Sequence, residues 1–381
     1  MDLAFGPELD DYRAEIRSFA ANRLAPHYQS DDRSARLREG LLDELAGMGL
    51  MGLRVPEEYG GQGADCVTSG VTCEELGRAD FNASYLVLNA LLIGEILATN
   101  GTAEQKDRWL RPLARGEVLP ALCLTEPDHG SHAAELTLKA ERDGEGWRLV
   151  GEKTSITLGV NANTGIVFAR TGGPGAGGVS AFYVDLDDRY VTRAPFSDLG
   201  NRAIGRASLH FEGLPARVRD MVGAEGMGFK QVMRGFDYSR ALIGLICIGC
   251  AQAAIDDALQ YARDRKAFGG PIGRFQGVAF PLVEYATYLK GARHICYEAL
   301  WRKDQGLAHT VESNMAKWWA PKVSAEAAHQ ALLTFGHTGY SDEVPQGQRM
   351  RDIIGLEIGD GTAQIAKLVV ARQLLGREYA P

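Results

Sequence analysis

The sequence lacks the features that mark nucleic-acid-binding and membrane proteins. It has no run of five or more basic residues, and 41 Lys and Arg against 49 Asp and Glu give a net charge of −8. Nucleic acid and anionic membrane surfaces are therefore not expected as partners. No apolar run reaches the roughly 20 residues that cross a bilayer, so membrane insertion is not expected either.

Cysteine is also scarce, with six residues in a chain of 381. This is too few for a disulfide framework. Cys247 and Cys250 form a C-x-x-C, but they lie inside the apolar run Ala241–Ile255, which favours small core side chains over a redox role. No second pair completes a zinc site, so no metal is predicted. Residues Met1–Phe5 lack the basic and apolar pattern of a signal peptide, and a cytoplasmic location is expected.

Common nucleotide-binding and hydrolase motifs are missing as well. The glycine-rich stretch Gly172–Gly178 joins two strand-like runs and opens no helix, so it lacks the context of a dinucleotide loop. No Walker-A loop, H-E-x-x-H or G-x-S-x-G occurs. His129 and His132 lie three residues apart in a turn-like segment and are not expected to bind metal. The chemistry must therefore come from other residues.

The hydrophobic pattern divides the chain into three parts. Residues 1–120 have apolar residues at helical spacing, and Thr102–Gln105 is typical of a capped helix start. Residues 121–225 contain short β-branched and aromatic runs between glycine-rich turns. Long helical patterns return in residues 226–381, among them Ala251–Arg263, Val311–Leu333 and Ala363–Leu375. The sequence therefore predicts an α+β fold with a helical N-terminal domain, a β-domain and a helical C-terminal domain at these boundaries.

Four separated segments combine polar residues with turn-forming residues: 122–131, 151–157, 263–276 and 351–365. Each is weak by itself. Together, and in this order, they resemble the acyl-CoA dehydrogenase family over essentially the whole chain. Further stretches with this resemblance are Val55–Gly61, Gly101–Lys106, Glu225–Phe229 and Phe236–Arg240.

The resemblance implies a fold, a cofactor and partners. The expected fold has a helical N-terminal domain, a β middle domain and a C-terminal four-helix bundle, assembled as a homotetramer that is a dimer of dimers. The expected cofactor is FAD, the expected substrate is an acyl-CoA, and the expected partner that reoxidises the flavin is an electron-transfer flavoprotein.

The resemblance also implies a catalytic base, Asp360, that removes the α-proton while flavin N5 accepts the β-hydride. The backbone N–H of Asp360 and a flavin ribityl hydroxyl would polarise the thioester carbonyl. The residues expected to bind FAD are Leu122, Leu124, Thr125, Ser131, Ser155, Ile156, Thr157, Arg265, Phe268, Gln276, Thr362 and Gln364, with Arg265, Phe268 and Gln276 often acting across a dimer interface. Those expected to contact the substrate are Ser131, Asp237, Arg240 and Gly361.

Several positions depart from the family pattern. Asp360 stands where most members have the longer glutamate, and Ser239 occupies the family's second base position, where it cannot serve as a base. Ser155 replaces a tryptophan beside the flavin, which widens the pocket. Leu333 and His337 replace a glutamine and a glycine, which puts FAD contacts from the partner subunit at 333–337 in question.

A shorter base and a wider pocket favour an acyl group that is bulky at the α-carbon. Desaturation of cyclohexane-1-carbonyl-CoA to cyclohex-1-ene-1-carbonyl-CoA, in cyclohexanecarboxylate degradation, is the substrate prediction. The alternatives are a short-chain or branched acyl-CoA, an acyl group on a carrier protein, a flavin oxidase of the nitroalkane oxidase type, and a non-catalytic relative. Within Leu86–Leu92 the only polar residue is Asn89, which is no base, and this favours 1,2- over 1,4-elimination.

Overall fold

The computed structural model describes residues 5–379. The prediction that Met1–Phe5 is not a signal peptide therefore concerns residues that, apart from Phe5, lie outside the described part. The first part of the chain is helical. The capping box predicted at Thr102 is present, with Thr102 and Gln105 each satisfying a backbone amide of the other. The helices are α1 (Pro7–Phe19), α2 (Tyr28–Ser34), α3 (Leu41–Gly47), α4 (Cys66–Ala79), α5 (Phe81–Asn100) and α6 (Ala103–Ala114).

An eight-stranded sheet follows, in the order β6-β7-β3-β2-β4-β5-β8, with β1 added in parallel to β4. The strand β7 was not foreseen, although its buried Ala207, Leu209 and Phe211 alternate with more exposed residues as a half-buried strand requires. The strands are β1 (Pro120–Cys123), β2 (Lys139–Asp143), β3 (Gly146–Ile156), β4 (Thr164–Arg170), β5 (Val179–Asp185), β6 (Val191–Pro195), β7 (Ala207–Ala216) and β8 (Met221–Val222).

The last part of the chain is again helical, apart from a short hairpin. Helices α7, α8 and α9 pack on one another, α10 packs on α7 and α9, and α11 packs on α9. The hairpin strands are β9 (Lys266–Ala267) and β10 (Gly270–Pro271). The helices are α7 (Gly228–Asp264), α8 (Gln276–Asp304), α9 (Thr310–Phe335), α10 (Gln346–Ile358) and α11 (Ala363–Leu375). The helical, β, helical order is confirmed, and the domain boundaries stay a prediction.

Helix α7 is much longer than the predicted Ala251–Arg263 because packing overrides local propensity. Gly244 and Gly249 each disfavour a helix by about 1 kcal/mol relative to alanine. Here they allow close approach of neighbouring helices. A Cβ on Gly249 would lie 2.1 Å from the backbone oxygen of Glu74 in α4, and one on Gly244 would lie 2.6 Å from the sulfur of Cys296 in α8.

Two helices, α5 and α7, are long and apolar enough to cross a membrane on length and composition alone. However, 89% and 78% of their most apolar windows are buried inside the protein. Core helices of globular proteins pass the same test, so packing accounts for their apolar character. Cys247 and Cys250 are buried in α7 as free thiols, as the sequence predicted.

Candidate active site

Asp360 lies in a four-residue turn, Gly359–Thr362, that joins α10 to α11; we call it the carboxylate loop. Asp360 has a left-handed backbone with φ of 55°, and Gly361 follows with φ of 102°. Aspartate enters this region more readily than most residues with a side chain. The hydroxyl of Thr362 accepts a hydrogen bond from the N–H of Ile365 at 3.4 Å and so caps α11. The turn therefore presents a half-buried carboxylate between two helix ends.

Two buried cations lie against the carboxylate loop. Lys317 of α9 is only 1% exposed, and its Nζ donates to the backbone oxygens of Leu356 and Gly361, each at 2.8 Å. Arg240 of α7 is 5% exposed, and a Cβ on Gly361 would lie 3.4 Å from one of its terminal nitrogens. A second nitrogen of Arg240 is 3.6 Å from the carboxylate of Asp237. Of the predicted substrate residues, Arg240, Asp237 and Gly361 are therefore close together.

These cations shape the electrostatics of the carboxylate. Burial raises the pKa of Asp360, while the positive charge of Lys317, and then that of Arg240, opposes the rise. Burial lowers the pKa of Lys317 to about 8, with the charge of Asp360 opposing it. Asp360 thus has a pKa above the usual range of an aspartate, as a general base near neutral pH requires.

The opposite side of the site is formed by residues 122–126 and 153–157, which we call the β-domain wall. Lys153 is fully buried, and its Nζ donates to the backbone oxygen of Leu124 at 3.0 Å and to the carboxylate of Glu126 at 2.8 Å. The N–H of Thr154 donates to the backbone oxygen of Thr125 at 2.8 Å. The two segments are therefore held together by a buried ion pair and a backbone hydrogen bond.

Glu126 is itself held from the other side. Its carboxylate accepts hydrogen bonds from the backbone N–H groups of Thr137 at 2.6 Å and Leu138 at 2.8 Å. Burial alone would raise the pKa of Glu126, but the charge of Lys153 and these donors lower it. Glu126 is therefore ionised at neutral pH, and every oxygen has a donor.

The predicted cofactor residues of the wall divide into two groups. The side chains of Leu124 and Ile156 are buried in the core, so only their backbone groups are available to a cofactor at the wall. Thr125 and Thr157 are partly exposed, and Ser155 is exposed with a left-handed φ of 58°. Ser131 lies exposed on the loop after the wall, Leu122 is partly buried at its start, and Gln364 is exposed on α11.

Tyr85 of α5 links the two sides of the site. Its hydroxyl oxygen accepts a hydrogen bond from Thr157 at 3.4 Å and lies 3.9 Å from where a Cβ of Gly359 would be. Burial raises the pKa of Tyr85, and the negative charge of Asp360 adds to the rise. Tyr85 is therefore a protonated phenol between the wall and the carboxylate loop. The nearby Asn89 donates from its amide nitrogen to the backbone oxygen of Pro120 at 2.5 Å.

Arg265, Phe268 and Gln276 are not brought to Asp360. They lie around the hairpin at the far end of α7, and the 25 residues from Arg240 to Arg265 span about 37 Å at 1.5 Å per residue. A single dinucleotide does not reach from one end to the other. Their expected role across a dimer interface stays a prediction.

Lys317 and Tyr85 were missed in the sequence, and Lys153 and Glu126 were noted there only as parts of motifs. A weak signal existed for Lys317, because its immediate neighbours Met315, Ala316 and Trp318 are small or apolar residues of a predicted helix. Tyr85 carried no comparable signal because an aromatic residue in an apolar helix is ordinary core. Among residues 5–379 there is no cluster of three or more potential metal ligands.

The helical, β, helical order and a half-buried carboxylate with a raised pKa are the features that the resemblance predicts for a flavin-dependent oxidoreductase acting on CH–CH bonds. Models of the N-terminal, middle and C-terminal domains of acyl-CoA dehydrogenases match residues 6–117, 121–214 and 226–375. The chain belongs to the acyl-CoA dehydrogenase family, as the sequence predicted. FAD is the cofactor of this family, and the cofactor prediction is confirmed.

Individual relatives match along their whole length. A probable acyl-CoA dehydrogenase of Bacillus subtilis, YngJ, is 35% identical over 98% of this chain and 100% of its own. The mouse mitochondrial short-chain specific acyl-CoA dehydrogenase is 35% identical over 96% of this chain and 90% of its own. The structure of butyryl-CoA dehydrogenase from Megasphaera elsdenii superposes with a TM-score of 0.95 at 30% identity, covering 98% and 100% of the two chains.

The residues present fit FAD. The guanidinium of Arg265 has no hydrogen-bond or ion-pair partner within residues 5–379, and Phe268 beside it is 90% exposed. An uncommitted guanidinium and an exposed ring suit a diphosphate and an adenine. In the separate region near Asp360, Thr125 and Thr157 of the β-domain wall are partly exposed and carry hydroxyls that suit a flavin.

Proposed function

We propose that this protein desaturates a compact acyl-CoA thioester at its α,β-bond with Asp360 as the base. The observation that carries the proposal is the carboxylate loop itself, where a half-buried carboxylate with a raised pKa lies near Tyr85, whose hydroxyl is bonded to Thr157 of the wall. The mouse short-chain relative and the butyryl-CoA dehydrogenase support a CoA thioester as the substrate.

The residues of the chain divide the work. Asp360 takes the α-proton onto its carboxylate, and its pKa, raised by burial, brings it nearer to the acidity of the substrate. The backbone N–H of Asp360 has no acceptor within residues 5–379 and is free to donate to the thioester oxygen, which stabilises the enolate-like transition state. Bound FAD supplies the acceptor for the β-hydride. Thr125, Ser131, Thr157, Thr362 and Gln364 hold the flavin end.

The acyl group we propose is cyclohexane-1-carbonyl, converted to cyclohex-1-ene-1-carbonyl-CoA in cyclohexanecarboxylate degradation. Asp360 is shorter than glutamate by one C–C bond, about 1.5 Å, so the α-carbon must lie close to the carboxylate loop. Ser155 leaves space on the β-domain wall, and Tyr85 limits the space between wall and loop. A ring fits such a short, wide pocket better than a long chain. Tyr85, held protonated, and Asn89, bonded to Pro120, leave no base on that side, which supports 1,2-elimination.

The proposed assembly is a homotetramer with an electron-transfer flavoprotein as its redox partner in the cytoplasm. Exposed apolar side chains concentrate around the hairpin and on α8 to α11, among them Phe268, Phe280, Leu333 and Leu374. Exposed groups of this kind are typical of surfaces that a second copy covers. Light scattering on the purified holoenzyme would return four times the chain mass.

A panel of thioesters tests the substrate proposal. The holoenzyme is mixed anaerobically with cyclohexane-1-carbonyl-CoA, butyryl-CoA and isobutyryl-CoA, and bleaching of the flavin is followed by absorbance. We expect the ring substrate to bleach the flavin fastest. If it leaves the flavin oxidised while butyryl-CoA bleaches it, the ring is the wrong acyl group. Bleaching only by a carrier-protein thioester, or rapid peroxide formation in air, would replace the proposal with the corresponding alternative.

A further inference from the structure

The hydrogen-bond ladder of helix α10 ends between Gly359 and Asp360. The N–H of Gly359 still bonds to the backbone oxygen of Gly355 at 3.0 Å, as in a helix. The next amide, that of Asp360, has no acceptor within residues 5–379. In a continuing helix its acceptor is the backbone oxygen four residues earlier, that of Leu356. That oxygen instead accepts from Nζ of Lys317 at 2.8 Å.

We propose that Lys317 is a positioning residue for the reaction, which holds the break between α10 and α11 and thereby keeps the N–H of Asp360 free for the thioester oxygen. The inference rests on the proposed function. Lys317 takes the Leu356 carbonyl on one flank of Asp360 and the Gly361 carbonyl on the other, both at 2.8 Å. One ammonium group therefore fixes both sides of the turn that aims the base.

The location of Lys317 excludes an ordinary surface role. It is buried on α9, and none of the described residues forms a salt bridge with it. A buried ammonium without a counterion is costly unless its hydrogen bonds and nearby charges stabilise it. The charged and titratable groups that face the pair are Asp360 and Glu357 beside the loop, Arg240 and the buried thiol of Cys247 from α7, and Tyr85 from α5. Lys317 thus contributes both hydrogen bonds and charge to the same loop.

Replacing Lys317 by an uncharged side chain of similar shape separates the effects of its hydrogen bonds and charge from the effect of its packing. Lys317→Met keeps most of the length of the unbranched side chain and removes its donors and charge. Without Lys317, the N–H of Asp360 can bond to Leu356 and α10 can extend, so flavin reduction by the acyl-CoA should slow about 100-fold with little change in KM. The acid limb of kcat/KM should also move to higher pH, because Asp360 loses the strongest charge that lowers its pKa and must still be deprotonated to act.

Lys322→Met is the matched control. Lys322 lies on the same helix, is exposed, and pairs with Glu326 at 2.5 Å. It should change neither the rate nor the acid limb. Equal rates and pH profiles for Lys317→Met and wild type would overturn the proposal.

Amide hydrogen exchange resolved to single residues tests the same point without turnover. In the wild-type holoenzyme the amide of Asp360 should exchange at least about 100-fold faster than that of Gly359, which is bonded. If the two amides are equally protected, the proposed break does not exist and the inference fails, even if Lys317→Met does not fold. If the exchange pattern is as expected but no thioester bleaches the flavin, the proposed function fails instead.

Discussion

The two sides of the site are each built around a buried lysine, but the lysines are used differently. Lys153 in the β-domain wall has a carboxylate partner, Glu126, at 2.8 Å. Lys317 behind the carboxylate loop has no salt-bridge partner among the described residues and donates only to backbone oxygens. The charges of the wall are paired directly in a salt bridge, whereas the cation behind the loop has Asp360 and Glu357 as nearby negative charges without forming a salt bridge to either among the described residues.

This difference indicates a division of roles. A paired charge with all its hydrogen bonds satisfied makes a rigid platform and has little field beyond itself. An unpaired cation keeps its field, and here that field acts on Asp360. We therefore expect changes in the wall to appear mainly as lost stability and lost cofactor, and changes behind the loop to appear mainly in rate and pH profile.

The largest effect should come from breaking the ion pair of the wall. Glu126→Gln leaves Lys153 buried without a counterion, so the free energy of unfolding should fall by about 3–5 kcal/mol and FAD should dissociate more readily. Denaturant unfolding and flavin fluorescence measure both. Glu225→Gln, which removes the exposed pair with Arg142, should cost less than about 1 kcal/mol. Equal losses in the two variants would show that the wall pair is not a special support.

The next effect tests the link between the two sides. Tyr85→Ala opens space between wall and loop, so kcat/KM for a longer straight-chain acyl-CoA should rise at least about 10-fold relative to that for the ring substrate. Tyr85→Phe keeps the ring and should leave this preference unchanged. Tyr12→Phe removes a similar bond to a threonine, at 2.8 Å from Thr72 and remote from Asp360, and serves as the control. An unchanged chain-length preference in Tyr85→Ala would remove Tyr85 from the acyl pocket.

The smallest expected effect is the loss of stability when either of two helix caps is removed. Thr362→Ala and Thr102→Ala each remove a hydroxyl that caps a helix, and each should lower the free energy of unfolding by about 1 kcal/mol. Only Thr362→Ala should also slow flavin reduction, because it alone loosens the carboxylate loop and removes a hydroxyl that we place at the flavin end. The comparison fails if Thr102→Ala slows the reaction equally.

Local patterns were enough to predict the domain order, the cap at Thr102 and the buried cysteines. Resemblance singled out Asp360. The residues that support it were not predictable in this way, because Lys317 meets Gly361 across 44 residues and Tyr85 meets Thr157 across 72. Such contacts depend on how α5, α9 and the sheet pack. The full length of α7 was missed for the same reason. Its glycines are favourable within a helix only because α4 and α8 pack closely against them.

The most direct test of the account is flavin reduction by Asp360→Asn, followed anaerobically after one rapid mixing of FAD-loaded protein with acyl-CoA. Asparagine keeps the shape of the loop and cannot accept the α-proton. We predict normal FAD content and acyl-CoA binding, with a reduction rate lower by about 10²–10⁴-fold or more. A rate near that of the wild type, in protein with a full complement of FAD, would contradict Asp360 as the base.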